Sequence, residues 1–235
     1  MTQTGEREIS IVPLAGLPEL RTGDDLAALL GDALAVSGGL EEGDAVVVAQ
    51  KAVSKVEGRV ERSEDDLAVI LREARSVRRL RGDLVIAETE HGFVCASAGV
   101  DRSNAPDNGW VVLLPRDPDE SARRLRATLG ERFGVAPAVV VSDSFGRAWR
   151  QGTTDVAIGV AGFSPLLDLR GTTDARGRAL ESTIIAVADE LAGAAELAFG
   201  KARGVPAARI RGARLPAGAG SARDLVMPPE RDLFP

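Results

Sequence analysis

Apolar residues fall along this chain in short blocks of two different periods, and the blocks predict a mixed set of strands and helices. Ile9-Ser10-Ile11-Val12-Pro13-Leu14 predicts a strand, followed by a turn at Gly16-Leu17-Pro18. Residues 24–36 place Leu26, Leu29, Leu30, Ala33 and Leu34 on one helical face, and Gly38-Gly39 stops the helix. Ala45-Val46-Val47-Val48-Ala49 has the unbroken apolar character of a buried strand. Residues 63–79 predict a charged helix, 84–98 two short strands broken near His91-Gly92, and 111–114 another strand. Asp117-Pro118-Asp119-Glu120 is a helix start, with a capping acid, a first-turn proline and acids that suit the dipole; the helix is expected to reach about Leu129.

A strand at 138–141, ending at Ser142-Asp143, then an alanine-rich helix over 181–199 and a last strand at 207–210 complete the pattern. The Pro- and Gly-rich tail, 215–235, predicts little regular structure. Strands and helices alternate unevenly, without the rhythm of a doubly wound sheet, so the fold class expected is α+β.

Composition narrows the picture. Hydrophobic residues make up 44% and charged residues 27%, the balance of a folded globular chain rather than a disordered or membrane-spanning one. No apolar run reaches the ~20 residues of a spanning helix, and Met1–Glu6 lacks the layout of a signal peptide. The single cysteine, Cys95, excludes an intramolecular disulfide and suits a cytoplasmic location. A net charge of -6, with no tyrosine, argues against nucleic-acid partners. Lysines occur only at positions 51, 55 and 201; every other basic side chain of the Lys/Arg type is arginine.

Several chemistries are excluded. There is no phosphate-binding G-x-x-x-x-G-K-[ST] run, and Gly218-Ala219-Gly220 lacks the third glycine of a dinucleotide fingerprint. With one Cys and one His, metal sites built on pairs of either cannot form. His91, the sole histidine, has no nucleophile-elbow pattern near it.

Polar residues set into apolar surroundings mark the candidates. Gln50-Lys51-Ala52-Val53-Ser54-Lys55 follows a buried strand, where cations meet phosphate oxygens or simply extend into solvent. Asp101 and Asn104 lie in a loop after small apolar residues, a pair suited to an oxygen-ligand metal site or to Asx turns. Ser142-Asp143-Ser144-Phe145-Gly146-Arg147-Ala148-Trp149-Arg150 combines hard oxygen donors with two guanidinium groups; helix capping would account for Asp143 or Ser144 but not for Arg147 and Arg150.

These stretches together resemble the coenzyme F420-0:L-glutamate ligase family. "GLPEL", "GDAVVVAQKAVSKVEGR", "HGFVCASAGVDRSN", "LLPRDPDESARRLR", "VVVSDSFGRAWRQGTTDVAIGVAG" and "DELAGAAELAFGK" carry the likeness, which runs in order from about Ile11 to Phe234. The resemblance implies an α+β fold of two closely packed lobes, an intertwined homodimer, and one ligase domain over 1–235. It implies no C-terminal nitroreductase-like domain and hence no flavin. The activity implied is GTP-dependent addition of L-glutamate to F420-0, extending a γ-linked tail through an acyl phosphate. It further implies Asp101, Asp143 and Ser144 as ligands of Mn2+ or Mg2+, with a monovalent cation as an additional candidate. Leu17, Pro18, Glu19, Leu20, Gln50, Lys55 and Asn104 would line the GTP site, while Arg147 and Arg150 are read as clamps on phosphate or on the acidic acceptor.

Three departures stand out against the family pattern: Ser144 where threonine is common, Gln50 where some members have serine, and a loop at 215–221 without the acids some relatives carry near the metals. Two other readings share the same residues. One is a GTP- and metal-dependent amide ligase acting on another acidic acceptor; the other is a non-enzymatic nucleotide-binding partner of a separate reductase.

Overall fold

Two runs of consecutive apolar residues organise the molecule, because a strand buried on both faces can only lie at the centre of a covered sheet. The computed structural model describes residues 8–233. The N-terminal segment Met1–Glu6, together with Phe234 and Pro235 at the end of the tail, falls outside them. In chain order the elements are β1 (Ser10–Pro13), α1 (Leu26–Val36), β2 (Ala45–Ala49), α2 (Gln50–Val56), β3 (Val60–Arg62), α3 (Asp66–Glu73), β4 (Ala74–Arg81), β5 (Leu84–Thr89) and β6 (Val94–Ala96). They continue with β7 (Trp110–Val112), α4 (Pro118–Phe133), β8 (Ala138–Arg147), β9 (Arg150–Ala161), β10 (Leu167–Asp168), β11 (Ile184–Ile185), α5 (Val187–Phe199) and β12 (Ala207–Arg211).

The central sheet has the order β1-β12-β2-β8-β9. Its β2–β8 pair is parallel and its other pairs are antiparallel. Val46, Val47 and Val48 of β2 and Val139, Val140 and Val141 of β8 are all fully buried, so both faces of the sheet are covered. Helices α4 and α5 both pack on it. Three smaller sheets, β3-β7, β4-β5-β6 and β10-β11, complete a mixed α+β fold. Among the described residues no helix is long and apolar enough to cross a membrane.

Local chemistry sets the helix ends. The Asp25 carboxylate accepts the Ala28 N–H at 2.9 Å to start α1, and the Gly39 N–H returns to the Leu34 carbonyl at 2.7 Å to close it. Asp117 accepts the Glu120 N–H at 2.9 Å at the head of α4, which ends on left-handed Gly134.

Four expected boundaries are corrected. The helix expected over 63–79 is α3 alone; from Ala74 the chain turns extended and pairs with β5 around a turn at Gly82, while Arg75 and Arg78 reach Glu88 at 3.4 and 2.8 Å. The helix expected over 181–199 begins only at Val187, since β-branched Ile184-Ile185 pair with β10. α4 runs one turn beyond Leu129. The strand expected to stop at Ser142-Asp143 continues to Arg147, because β9 supplies partners as far as the tip.

Candidate active site

The functional candidates are brought together where β2 ends. Ala49 stays extended, and Gln50 opens α2 instead of a loop. In a helix, residues four apart share a face one turn (about 5.4 Å) apart, so Lys51 and Lys55 point the same way. Both, with Gln50, line a cleft of about 170 Å3. Pro18, Glu19 and Leu20 form part of its wall, and the Glu19 carboxylate accepts the Lys55 ammonium at 2.5 Å.

Gln50 is 1% exposed and its amide is half satisfied. Its Oε1 accepts the Ser54 hydroxyl at 2.9 Å, whereas Nε2 is buried with no partner. A buried donor left unmade costs about 1–3 kcal/mol.

On the facing strand, the β8–β9 register slips by one residue between Val141 and Ser142. Such bulges re-aim side chains next to functional sites. Gly159 is required beside it, because a Cβ there would lie 2.3 Å from the Pro118 carbonyl oxygen. Beyond the slip, Ser142, Asp143 and Ser144 all reach the cleft wall. Asp155, opposite Ser144 in the register, accepts the Ser142 hydroxyl at 2.8 Å and the Ser144 hydroxyl at 2.6 Å while only 4% exposed.

Burial pushes the Asp143 carboxyl up to about 7; the Ser144 N–H and Lys51 oppose the shift, and the Asp155 and Asp101 carboxylates add to it. Asp101 is fixed through its backbone, which exchanges hydrogen bonds with Val112 at 3.0 and 2.8 Å. Its Oδ2 accepts the Lys51 ammonium at 2.5 Å and the Ser103 hydroxyl at 2.9 Å, and its Oδ1 accepts the Ser103 N–H at 2.6 Å. Asp101 therefore stands behind Lys51 rather than in the wall. Asn104, held left-handed at φ 55°, does line the cleft, and its amide reaches the Lys201 carbonyl at 3.4 Å.

The structure thus gathers Pro18, Glu19, Leu20, Gln50, Lys55, Asn104, Asp143 and Ser144 around one cleft, with Asp101 one ammonium away. Leu17 packs instead against the main core. Arg147 and Arg150 are exposed at the β8–β9 hairpin tip, outside the cleft wall. Asp155, Glu196 and Lys201 are wall residues that sequence reasoning missed. Burial raises the Glu196 carboxyl, Asp155 adds to the shift, and Lys201 opposes it. The segment at the far rim is not 215–221, which lies against Ser164, Pro165 and Asp119; it is the stretch containing Gly200, Lys201, Gly204, Val205 and Pro206.

For a divalent cation the donors are right: three carboxylates and two serine hydroxyls are the hard oxygens that Mg2+ and Mn2+ take. A cation beside Asp143 would favour the charged form of this carboxyl, which burial alone disfavours. Among the described residues, however, no three His, Cys, Asp or Glu side chains form a ready-made cage. Lys51 holds Asp101, and two serines hold Asp155.

Fold and site together define an α+β protein with an oxygen-rich cleft whose carboxylates are faced by lysine ammonium groups. A family model of the F420-0:gamma-glutamyl ligases matches residues 16–67 and 64–212. The chain belongs to that family. It is 43% identical to the coenzyme F420:L-glutamate ligase of Methanothermobacter thermautotrophicus, over 96% of this chain and 98% of that protein. The enzyme of the same name from Methanopyrus kandleri is 42% identical over 96% and 97%, and that from Methanocaldococcus jannaschii 40% over 83% and 86%.

Proposed function

We propose that the protein joins L-glutamate to coenzyme F420-0 and extends a γ-linked glutamate tail, using GTP to activate the acceptor as an acyl phosphate. The observation that carries this reading is the convergence of Gln50 Nε2, Lys55 and Asn104 with Asp143 and Ser144 on one cleft, in a chain this similar to named ligases.

In this reading Lys55 turns from Glu19 to the nucleotide phosphates, and the orphan Gln50 Nε2 donates to a nucleotide oxygen. Asn104 closes the same side. Asp101, Asp143 and Ser144 would hold the divalent cation, which neutralises polyphosphate charge when bound. An acceptor carboxylate oxygen attacks the γ-phosphorus and GDP leaves. The glutamate amine then attacks the acyl carbon, phosphate leaves with the bonding pair, and the amine loses its proton. Phosphoryl transfer asks little covalent chemistry of the protein; orientation and charge neutralisation carry it. Arg147 and Arg150, on the hairpin that runs out from Ser144, are proposed to clamp the acidic acceptor. A homodimer is proposed as well, supported by the exposed apolar Val77, Leu80, Leu84 and Val94 of the β4-β5-β6 sheet.

Incubation with GTP, Mn2+, L-glutamate and F420-0, followed by mass spectrometry, tests the reading. Glutamylated product with matching GDP release is expected. GDP release only with a different acidic acceptor would move the activity to that acceptor, and nucleotide binding without turnover would make the chain a binding partner.

A further inference from the structure

Lys51 is absent from the roles assigned above, yet it makes two short contacts beside the cleft. Its side chain is 15% exposed, and its ammonium donates to Asp101 Oδ2 at 2.5 Å and to Ser103 Oγ at 2.6 Å. It also opposes the upward shift of the Asp143 carboxyl. One positive charge therefore faces two of the carboxylates proposed to hold a divalent cation, and it shares Asp101 Oδ2 with the Ser103 hydroxyl.

We propose that Lys51 is a positioning residue that holds the place of the divalent cation and hands it over when nucleotide arrives. The inference rests on the ligase reading and adds an order to it.

Three features support the exchange. All three lysines of the chain, Lys51, Lys55 and Lys201, line this cleft, while arginine serves everywhere else. A lysine ammonium is a compact charge on a flexible stem that can change partners, whereas a guanidinium is a rigid fork suited to staying bound. In addition, Lys51 and Lys55 stand one helical turn apart and are each tied to a different loop, Lys51 to 101–103 and Lys55 to Glu19. A polyphosphate entering along α2 offers both ammonium groups new anionic partners at once. Finally, Asp101 keeps two contacts from Ser103 when Lys51 departs, so its carboxylate stays aimed while Oδ2 gives up its ammonium partner.

An ammonium this buried does not leave a carboxylate without a replacement partner, since an unpaired charge out of water is strongly disfavoured. Cation and nucleotide therefore help each other bind, and the coupling is reciprocal.

The test uses the full chain and two separate titrations. Mn2+ alone is titrated by the paramagnetic resonance signal of the free ion. A non-hydrolysable GTP analogue is titrated by calorimetry with EDTA present. Lys51→Met is expected to tighten Mn2+ roughly ten-fold, within the usual range of coupling energies, and to weaken metal-free nucleotide binding by a similar factor. Lys55→Met, which removes the same charge one turn away, is expected to weaken nucleotide without tightening Mn2+. In an Asp101→Asn background the Mn2+ gain from Lys51→Met is expected to vanish. Lys51→Gln serves if the methionine variant does not fold.

Mn2+ affinity that stays unchanged or falls in both Lys51 variants overturns the proposal, as does an equal gain in Lys55→Met. Wild-type protein that forms glutamylated product while these variants show no opposite-sign pattern refutes the inference alone. Wild-type protein that binds neither Mn2+ nor nucleotide and forms no product refutes the ligase reading beneath it.

Discussion

Ser144 and Asp155 face each other across the β8–β9 pairing, and the Ser144 hydroxyl donates to the buried Asp155 carboxylate at 2.6 Å. With the Ser142 hydroxyl on the other oxygen at 2.8 Å, Asp155 fixes the orientation of two hydroxyls in the cleft wall. It is a bracket for the site as much as a member of it.

Asp155→Asn should therefore loosen both hydroxyls at once. One of the two acceptor oxygens becomes an amide donor facing a hydroxyl, and a buried group left poorly satisfied costs about 1–3 kcal/mol. Urea unfolding should show a loss of that size with an unchanged slope, and glutamate ligation should fall with it. An unaltered midpoint would refute the bracket.

Asp143→Asn should abolish ligation without weakening the fold. The folded-state pKa of Asp143, about 7, lies above the ordinary carboxylate value of about 4. The folded protein thus prefers the protonated group. Its contribution to stability is greatest below about pH 4 and declines as pH rises toward about 7. Thermal melts in EDTA should show this decline for the wild type and a smaller one for the asparagine variant. Near-normal turnover by the variant would remove Asp143 from the metal assignment.

Lys55→Ala should weaken binding of a non-hydrolysable GTP analogue by about 1.5–3 kcal/mol, the range for a charge-assisted hydrogen bond. Affinity for the F420 acceptor should change less. Calorimetric titration decides it, and unchanged nucleotide affinity would leave Lys55 as the partner of Glu19 only.

Cys95 should be inert in the native protein. Burial pushes its thiol up to about 12, the Asp143 carboxylate adds to the shift, and a hydrogen bond from the Gly99 backbone opposes it. The thiol is the reactive species' protonated form, so a disulfide reagent at pH 8 should label Cys95 only after denaturant is added. Since the folded pKa exceeds the unfolded value of about 8.5, this group lowers stability only as pH rises past that value. Rapid labelling of the native protein would contradict the burial.

Legibility in the sequence tracked how local each signal was. The β2 block was readable to the residue, α1 followed from its apolar face and the Gly38-Gly39 stop, and the start of α4 from Asp117 as a cap. By contrast, residues 74–79 read as part of a helix because their three arginines hide the alternation, and only pairing with β5 makes 74–81 a strand. The same non-local cause carries β8 past Asp143 through Ser144 and Gly146, weak strand formers that β9 holds in register. Asp155 and Glu196 sit inside a strand and a helix with no local mark of function. Register opposite Ser144 brings in the first, and the end of α5 at the cleft brings in the second. The polar runs after β2 and in β8 were visible early because oxygens and cations interrupt apolar blocks there.

His91 is the remaining candidate for a general base, and its surroundings give it another task. Its Nε2 lies 3.0 Å from both the Pro115 and Arg116 carbonyl oxygens, so that nitrogen carries a proton and donates it. The ring stacks on Phe93 at 5.6 Å and 15°, and Phe93 meets Phe145 edge-on at 6.4 Å, next to Ser144. His91 is outside the cleft wall. A base must come within about 2.6–3.2 Å of the proton it removes, directly or through one water. A nitrogen already donating to two carbonyls is occupied, and the buried Nδ1 has no partner to relay through. His91→Gln keeps an N–H for the same carbonyls but loses the stack on Phe93. Most turnover should therefore survive, with a stability loss of about 1 kcal/mol. Rates measured between about pH 6 and 9 should keep the wild-type acidic limb, because this imidazole lies outside the cleft wall and away from the reacting groups. A hundredfold fall in turnover together with loss of that limb would make His91 the base that deprotonates glutamate.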